Sequence, residues 1–271
     1  MKRLRLAGRP LGLIARNVFA PANYRALLAM RRRYVRPLDA GRRYFLGRGA
    51  YPTSVPIRTP VGLVEPTLWS RHDMFTVHEI FVRQDYAAAA DDLRVVDVGS
   101  NIGISALYFL TRSPTAHCRL YEPVPANVER LRQNLADFTD RYTLEQVAVA
   151  DFDGQADFGI DTSGRYGGID IATGQTTQVP CRDINRVLED ALETWDAIDL
   201  LKLDVEGMEA RLLDAIRPDL LRRIRTLYVE GRRGSLPLPD GFEVSESCET
   251  VRLRLKKAVQ SRAVARERLD S

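Results

Sequence analysis

The chain has 271 residues, 45% of them hydrophobic, which is enough for one α/β domain with a full core and an additional segment. The three cysteines lack CxxC or metal-ligand spacing, and no apolar run approaches the ~20 residues that span a bilayer, which excludes a cysteine-bound metal and a transmembrane helix. Arg9, Pro10 and Arg16 interrupt the segment after the basic start, which excludes an export signal, so we expect a cytoplasmic protein with reduced thiols.

The net charge of +4 is distributed very unevenly along the chain. Residues 1–48 carry thirteen Lys or Arg and one acid, Asp39, and the last 22 residues have a net charge of +5, which leaves −13 for the residues between them. We therefore predict a basic helical N-terminal arm at residues 1–50, a central domain at residues 51–255 and a charged tail at residues 256–271.

The basic arm has two interpretations. It is either a solvated helical segment that docks by its apolar face, or a surface that contacts anionic lipid headgroups and makes the protein peripheral to a membrane. Nucleic acid is a less favoured partner, because the central domain is acidic and would repel phosphates.

The elements before the first core strand are a hairpin and a helix. Residues 51–69 alternate around Pro60-Val61-Gly62, which predicts an edge β-hairpin. Phe75, Val77, Ile80 and Phe81 then share one face of a predicted helix.

The most informative segment is the strand, turn and helix that begin at Val95. A β-branched strand at residues 95–98 leads into a turn with Gly99 and Gly103, and a helical pattern follows from Ile104. This arrangement holds a nucleotide-like cofactor over a helix N-terminus. A dinucleotide fingerprint would read G-x-G-x-x-G, whereas this turn reads G-x-N-x-G after an aspartate. Asp97 would repel a pyrophosphate but could hold the ammonium of S-adenosylmethionine, which carries no phosphate.

A second acid follows at the spacing expected for a ribose contact. Residues 117–122 read as the next strand and end at Glu122, about 20 residues past the glycine turn, where a ribose diol is usually bound. Asp151 ends a third predicted strand, at residues 143–150, and could meet the adenine amino group or stabilise a turn. The predicted cofactor-binding residues are Asp97, Gly99, Ser100, Asn101, Gly103, Glu122 and Asp151.

The second half of the chain continues the alternation of strands and helices. Residues 155–160 return as a strand, residues 161–177 read as a flexible loop, and a helix with Asp183 as its N-cap follows. Residues 198–204 and 226–230 are predicted strands four and five. The alternation indicates a mainly parallel sheet covered on both faces.

Acidic residues end strands four and five, at the edge where open α/β sheets bind ligands. Asp204 and Glu230 should converge there, and Glu206 follows in the loop. One interpretation makes Asp204 or Glu206 a base that activates an acceptor hydroxyl, and another makes Asp204 and Glu230 ligands of Mg²⁺. The structural alternative is a turn stabilised by ion pairs, for instance with Lys202. His72, before strand one, is a further catalytic candidate.

Five segments together carry a family resemblance. They read Val-Asp-Val-Gly-Ser-Asn-Ile-Gly (96–103), Tyr-Glu-Pro (121–123), Ala-Val-Ala-Asp-Phe-Asp-Gly (148–154), Leu-Lys-Leu-Asp-Val-Glu-Gly-Met-Glu (201–209) and Val-Glu-Gly (229–231). Over about residues 55–245 the chain resembles the FkbM-type methyltransferases, which are class I, S-adenosylmethionine-dependent enzymes. The resemblance implies a Rossmann-like α/β fold with a mainly parallel seven-stranded sheet and helices on both faces, here preceded by the helical arm and the hairpin.

The resemblance also implies the reaction, which is methyl transfer to a hydroxyl of a sugar, glycolipid or polyketide-type product. Residues 51–255 would form the methyltransferase domain. The alternative is an RNA methyltransferase that uses the basic arm to bind nucleic acid. Asp-Val-Glu-Gly stands where class I enzymes that methylate base nitrogens usually carry Asn/Asp-Pro-Pro-aromatic, which argues against that alternative.

Overall fold

The computed structural model describes residues 5–6, 9–10, 28–160, 167–169, 175–247 and 250–256. The chain forms two compact units, residues 1–84 and residues 85–271. The three parts predicted from composition, with boundaries at residues 50 and 255, stay a prediction.

The first unit combines short antiparallel strand pairs with helices. Strand β1 pairs with β2, β3 with β6, and β4 with β5. A capping box between Ser70 and Asp73 begins helix α2, which continues into a π-helix. The bounds are β1 Arg5–Leu6, β2 Arg9–Pro10, a helix at residues 28–33, α1 Pro37–Leu46, β3 Thr53–Ser54, β4 Ile57–Thr59, β5 Gly62–Val64, β6 Thr67–Leu68, α2 Arg71–Val77 and the π-helix His78–Arg83.

The strands β1 and β2 differ from the helix expected throughout the arm. Proline favours an extended conformation in the residue before it, so Pro10 directs Arg9 away from the helical region. Within the predicted arm, residues 28–33 are helical, and residues 11–27 lie outside the described part.

The second unit contains the predicted seven-stranded, mainly parallel sheet. Its strand order is β16-β17-β15-β14-β7-β8-β9, with β17 antiparallel to both β15 and β16. The strand bounds are β7 Arg94–Val98, β8 His117–Tyr121, β9 Tyr142–Glu145, β14 Ile198–Leu203, β15 Ile224–Glu230, β16 Phe242–Ser247 and β17 Thr250–Leu255.

Helices lie between successive parallel strands of this sheet along the chain. They are α3 Ile104–Leu110, α4 Pro125–Asn134, α5 Ile184–Thr194, α6 Glu209–Ala215 and α7 Pro218–Leu221, with 3₁₀ turns at Ala136–Phe138 and Arg233–Ser235. From β7 the chain first moves outward to β8 and β9, then crosses back to β14 and moves outward the other way to β15. Because such crossovers are right-handed, the helices on the two sides of β7 cover opposite faces of the sheet. No helix within the described ranges is both long and apolar enough to cross a bilayer.

The expected third strand, residues 143–150, is in fact two strands in two sheets. Strand β9 pairs with β8, whereas β10 (Ala148–Ala150) pairs in parallel with β13 (Gln175–Asp183). The last pair of the β8–β9 ladder is Tyr121 with Glu145, and Pro123, which lacks an N–H, follows shortly after. The β8–β9 ladder ends there, and Ala148–Ala150 pair with β13 instead.

The loop predicted at residues 161–177 is wrong in part, because strands of the second sheet occupy some of this segment. Its order is β10-β13-β11-β12, with β11 at Gly154–Ile160 and β12 at Gly167–Ile169. Residues 167–169 and 175–177 are therefore strand, and residues 161–166 and 170–174 lie outside the described part. Asp183 caps α5 as expected, accepting a hydrogen bond from the Asn185 N–H.

Gly99 is the position where the central strands leave no room for a side chain. Its φ is +81°, and a Cβ built there would lie 1.8 Å from the Asp204 carbonyl oxygen. Substituting Gly99→Ala should therefore lower the free energy of unfolding by at least about 2 kcal/mol, measured by urea denaturation.

Gly234→Ala is the matched control for this substitution. Nothing lies within 4 Å of a Cβ at Gly234, so its effect should stay within about 0.5 kcal/mol. Equal stabilities for the two variants would contradict the close approach of β14 to the turn.

Candidate active site

The glycine turn after β7 lies beside the carboxyl end of β14. Strands β7 and β14 are adjacent and parallel, and the chain moves away from them in opposite directions. Such a switch point opens a crevice beyond the carboxyl ends of the strands, which is where open α/β sheets bind ligands. The glycine turn predicted for the cofactor and the acids Asp204 and Glu230 therefore lie at one edge of the sheet.

The turn is held by its own backbone and by short side chains. Ser100 donates from Oγ to the Asp97 carbonyl at 2.9 Å, and the Gly103 N–H donates to the Ser100 carbonyl at 2.9 Å. Asn101 has a positive φ of 48°, and its Oδ1 accepts a hydrogen bond from the Ile102 N–H at 2.8 Å. Gly103, with φ +84°, precedes α3. The turn thereby presents its backbone at the N-terminus of a buried helix.

Glu122 connects the end of β8 to this turn. Its carboxylate accepts hydrogen bonds from the backbone N–H of Asn101 at 2.9 Å, the N–H of Val124 at 3.0 Å and the Asn127 side chain at 3.2 Å. Burial raises the pKa of Glu122, and these donors act in the opposite direction. An ionised carboxylate has about four acceptor positions, so one remains for a ligand hydroxyl. This free acceptor position fits a ribose hydroxyl of S-adenosylmethionine, which would donate to it.

Lys202 links the turn to the end of β14. Its Nζ lies 3.0 Å from Asp97 Oδ1, 2.9 Å from the Gly99 carbonyl and 3.2 Å from Asp204 Oδ2. An ammonium has three N–H donors, and these three acceptors use all of them. The side chain is 1% exposed, so a charge that would be costly alone is fully compensated.

Asp97 is completely buried beneath the turn. Besides Lys202 on Oδ1, it accepts a hydrogen bond on Oδ2 from the Ser105 hydroxyl at 2.6 Å. Each of its oxygens thus has a protein donor, and the carboxylate is 0% exposed. Its predicted contact with a cofactor ammonium stays a prediction, and its observed role is to hold Lys202 and α3 together.

Asp204 and Glu230 converge as predicted from the ends of adjacent strands, where they share a hydrogen bond. Lys202 holds the pKa of Asp204 below its ordinary value against the opposing effect of burial, helped by hydrogen bonds from Glu230 and Tyr86. Burial and the neighbouring Asp204 raise the pKa of Glu230 to about 10. At neutral pH the pair is one carboxylate and one carboxylic acid, the usual outcome when two acids share a site.

Tyr86 and Lys202 make contacts in the site that the sequence motifs do not predict. Tyr86 donates from its hydroxyl to Asp204 at 3.1 Å, and its ring lies 5.4 Å from the Lys202 Nζ. The sequence suggests Lys202 as a partner of Asp204 only, whereas in the structure it also binds Asp97. Tyr86 precedes β7 and belongs to no recognisable motif. In the sequence, only its aromatic character and its position shortly before the strand could have indicated a role in the site.

The loop after β14 contains the other acidic candidates. Glu206 has a positive φ of 44°. Glu209 accepts hydrogen bonds from the backbone N–H groups of Val205 at 3.1 Å and Gly207 at 3.0 Å, so its carboxylate caps the loop before α6. Glu206 keeps its catalytic assignment as a prediction.

Two further candidates belong to other elements of the chain. Asp151, after β10, pairs with Arg211 through two contacts of 2.7 Å. His72 lies on α2 of the first unit, exposed and edge-on to Phe75. Their adenine and catalytic roles stay predictions. Among the residues that the structure describes, no group of three or more His, Cys, Asp or Glu side chains is arranged for a metal ion.

Comparison with known proteins places these features in a family. A family model described as the methyltransferase FkbM domain matches residues 97–258. The 2-O-methyltransferase NoeI of Sinorhizobium fredii is 27% identical over 179 residues, covering 58% of this chain and 72% of NoeI. The antimetabolite synthetase AmbE of Pseudomonas aeruginosa is 23% identical over 205 residues, covering 58% of this chain but only 9% of AmbE. A methyltransferase structure from Geobacter sulfurreducens aligns with a TM-score of 0.37 and 17% identity over 64% of this chain and 77% of that one.

The protonated state of Glu230 predicts a pH dependence of stability. Its pKa is about 10 in the folded chain, above its ordinary 4.5, so the folded chain holds a proton that the unfolded chain releases between these values. The stabilisation from this group is complete below the lower value and is lost as pH rises towards the higher one. The melting temperature of Glu230→Gln, relative to the natural protein, should therefore increase steadily from about pH 5 to about pH 9.

Glu243→Gln, on the exposed edge strand β16, is the control and should show a constant difference over this range. A constant difference for Glu230→Gln as well would mean that Glu230 is ionised in the folded chain.

Proposed function

The chain belongs to the FkbM family of S-adenosylmethionine-dependent methyltransferases, and we propose that it methylates a hydroxyl oxygen of a sugar, glycolipid or polyketide-type acceptor. The observation that carries this proposal is the carboxyl pair of Asp204 and Glu230 at the sheet edge beside the glycine turn. The similarity to NoeI, a 2-O-methyltransferase, supports an oxygen acceptor. RNA methylation, the alternative from the sequence, is not favoured by the relatives' names.

The cofactor side of the site would consist of the turn and the end of β8. Glu122 would accept hydrogen bonds from the ribose hydroxyls, while Gly99 to Gly103 would face the amino-acid portion and Asp151 the adenine. When bound, S-adenosylmethionine supplies a methyl group activated by its sulfonium charge. The protein must then hold an acceptor oxygen in line with that methyl group, and this positioning provides much of the catalysis.

The acceptor side would be the carboxyl pair. Asp204, kept ionised by Lys202, would accept a hydrogen bond from the acceptor hydroxyl and orient its oxygen. As the new O–C bond forms and the C–S bond breaks, the hydroxyl proton would pass to Asp204. Glu230, which is partly exposed, would release its own proton to water and accept the hydrogen bond from Asp204. The pair would then carry the same charge as before the reaction.

Cofactor identity is tested by calorimetry with S-adenosylhomocysteine and with NAD. The natural protein should bind the first and not the second. Glu122→Gln should weaken the binding of S-adenosylhomocysteine by roughly 1–3 kcal/mol, because one acceptor for the ribose hydroxyls becomes a donor.

Asp199→Asn is the matched control for Glu122. Asp199 is also buried and accepts backbone hydrogen bonds, from Leu93 and Arg94, but it lies at the amino end of β14. This variant should keep the affinity of the natural protein. Binding of NAD alone would refute the cofactor assignment.

The role of Asp204 is tested by Asp204→Asn, which keeps the shape but removes the charge. Methyl transfer to an acceptor identified from a panel of sugars, glycolipids and polyketide-type alcohols should fall ~10²-fold or more, with the affinity for S-adenosylhomocysteine retained. Asp199→Asn, on the same strand, should keep its activity, and melting curves check that both variants fold.

Removal of metal ions with EDTA distinguishes the two mechanisms considered for Asp204 and Glu230. Activity that survives EDTA supports proton transfer to the carboxyl pair, whereas activity lost to EDTA and restored by Mg²⁺ supports metal-assisted deprotonation. Near-natural turnover by Asp204→Asn would refute its role and leave Glu206 and His72 as candidates.

A further inference from the structure

The first unit contains a groove of about 580 Å³ that the methyl-transfer reaction does not explain. Residues 28–33 form one wall, the turn of the β4–β5 hairpin a second, and the end of the π-helix a third. Three arginines line the groove, Arg32, Arg33 and Arg58, and none of the lining residues within the described ranges is acidic.

The arginines of this groove are available to a ligand. Within the described part of the chain, Arg32 and Arg33 have no ion-pair partner. Arg58 donates from one guanidinium nitrogen to the Tyr34 carbonyl at 2.6 Å, which fixes its position and leaves further N–H donors. Residues 28–64 contain eight arginines and a single acid, Asp39, which is itself paired with Arg42 and Arg43. The local field therefore favours an anion.

The groove also has an exposed apolar rim. Leu28, which lines it, is 56% exposed, and Leu63 is 57% exposed and lies opposite Arg58 in the hairpin ladder. Val61, at the tip of the hairpin, is 38% exposed. Among the described residues, every large hydrophobic side chain in the exposed class belongs to this unit, the others being Leu38, Phe45 and Leu46 on α1. Exposed apolar side chains that lie side by side mark interaction sites, and Leu28 and Leu63 place such side chains at the groove and beside Arg58.

We propose that this groove and its rim form a docking surface for an anionic lipid bilayer. Guanidinium groups bind phosphate oxygens through paired N–H donors, so the three arginines would contact lipid headgroups. Leu28, Val61 and Leu63 would enter the boundary between headgroups and acyl chains, as apolar residues of peripheral proteins do. An anionic surface with an apolar layer beneath it matches both features, whereas a soluble anion would use only the arginines.

Vesicle co-sedimentation of the full chain tests the proposal. The protein should sediment with equimolar phosphatidylcholine–phosphatidylglycerol vesicles, not with phosphatidylcholine alone, and added salt should weaken the binding. The double variant Arg32→Gln/Arg33→Gln should bind about 10- to 30-fold more weakly, since each basic residue at an anionic bilayer contributes about a factor of five. Leu63→Ser should weaken binding without changing its salt dependence.

The matched control is Arg132→Gln/Arg222→Gln. It removes the same charge from two exposed arginines of the second unit and should sediment like the natural protein. If both double variants lost vesicle binding equally, the effect would come from net charge alone, and the proposed docking surface would be wrong. If Leu63→Ser bound vesicles like the natural protein and inorganic phosphate displaced the protein from them, the groove would be a site for a soluble anion. That result would overturn the proposal. Tighter binding to a single-stranded RNA than to vesicles at equal salt would also overturn the proposal.

Discussion

The buried ammonium of Lys202 is the interaction on which the active-site edge depends. It joins the side chain at the end of β7, the backbone of the glycine turn and the side chain after β14. A buried charge is tolerated only when its partners are in place, so these three elements must keep their relative positions. Gly99 then becomes a steric requirement, because β14 lies so close to the turn that no Cβ fits between them.

The same ammonium determines how the two acids at the sheet edge differ. Asp204 contacts Lys202 and accepts a hydrogen bond from Tyr86, so its ionised form is favoured. Glu230, on the next strand, is partly buried and lies beside the negative charge of Asp204, and both effects favour its protonated form. Two carboxyl groups of similar chemistry thereby acquire opposite protonation states from their surroundings alone. Because of this asymmetry, Glu230 donates the hydrogen bond that the two acids share, and Asp204 is the ionised acceptor.

The two units of the chain differ in the charge of their side chains. The second unit contains the sheet edge at which the carboxyl groups of Asp204 and Glu230 meet. The first concentrates arginines and exposed apolar side chains, which suit an anionic and partly apolar partner. The family model shows a methyltransferase, and the two relatives compared are 23–27% identical to this chain.

The sequence by itself determined the elements whose physical cause is local. Hydrophobic periodicity, the glycines at 99 and 103 and the acid after β8 predicted the strand, turn and helix, the parallel sheet and the convergence of Asp204 with Glu230. These signals depend on neighbouring residues and on the rule that parallel strands end at one edge. Only the tertiary structure decided which distant groups meet. Lys202 binds Asp97 across 105 residues and Tyr86 binds Asp204 across 118. It also separated Ala148–Ala150 from β9, because strand pairing is chosen by the packing of the whole sheet rather than by the local pattern.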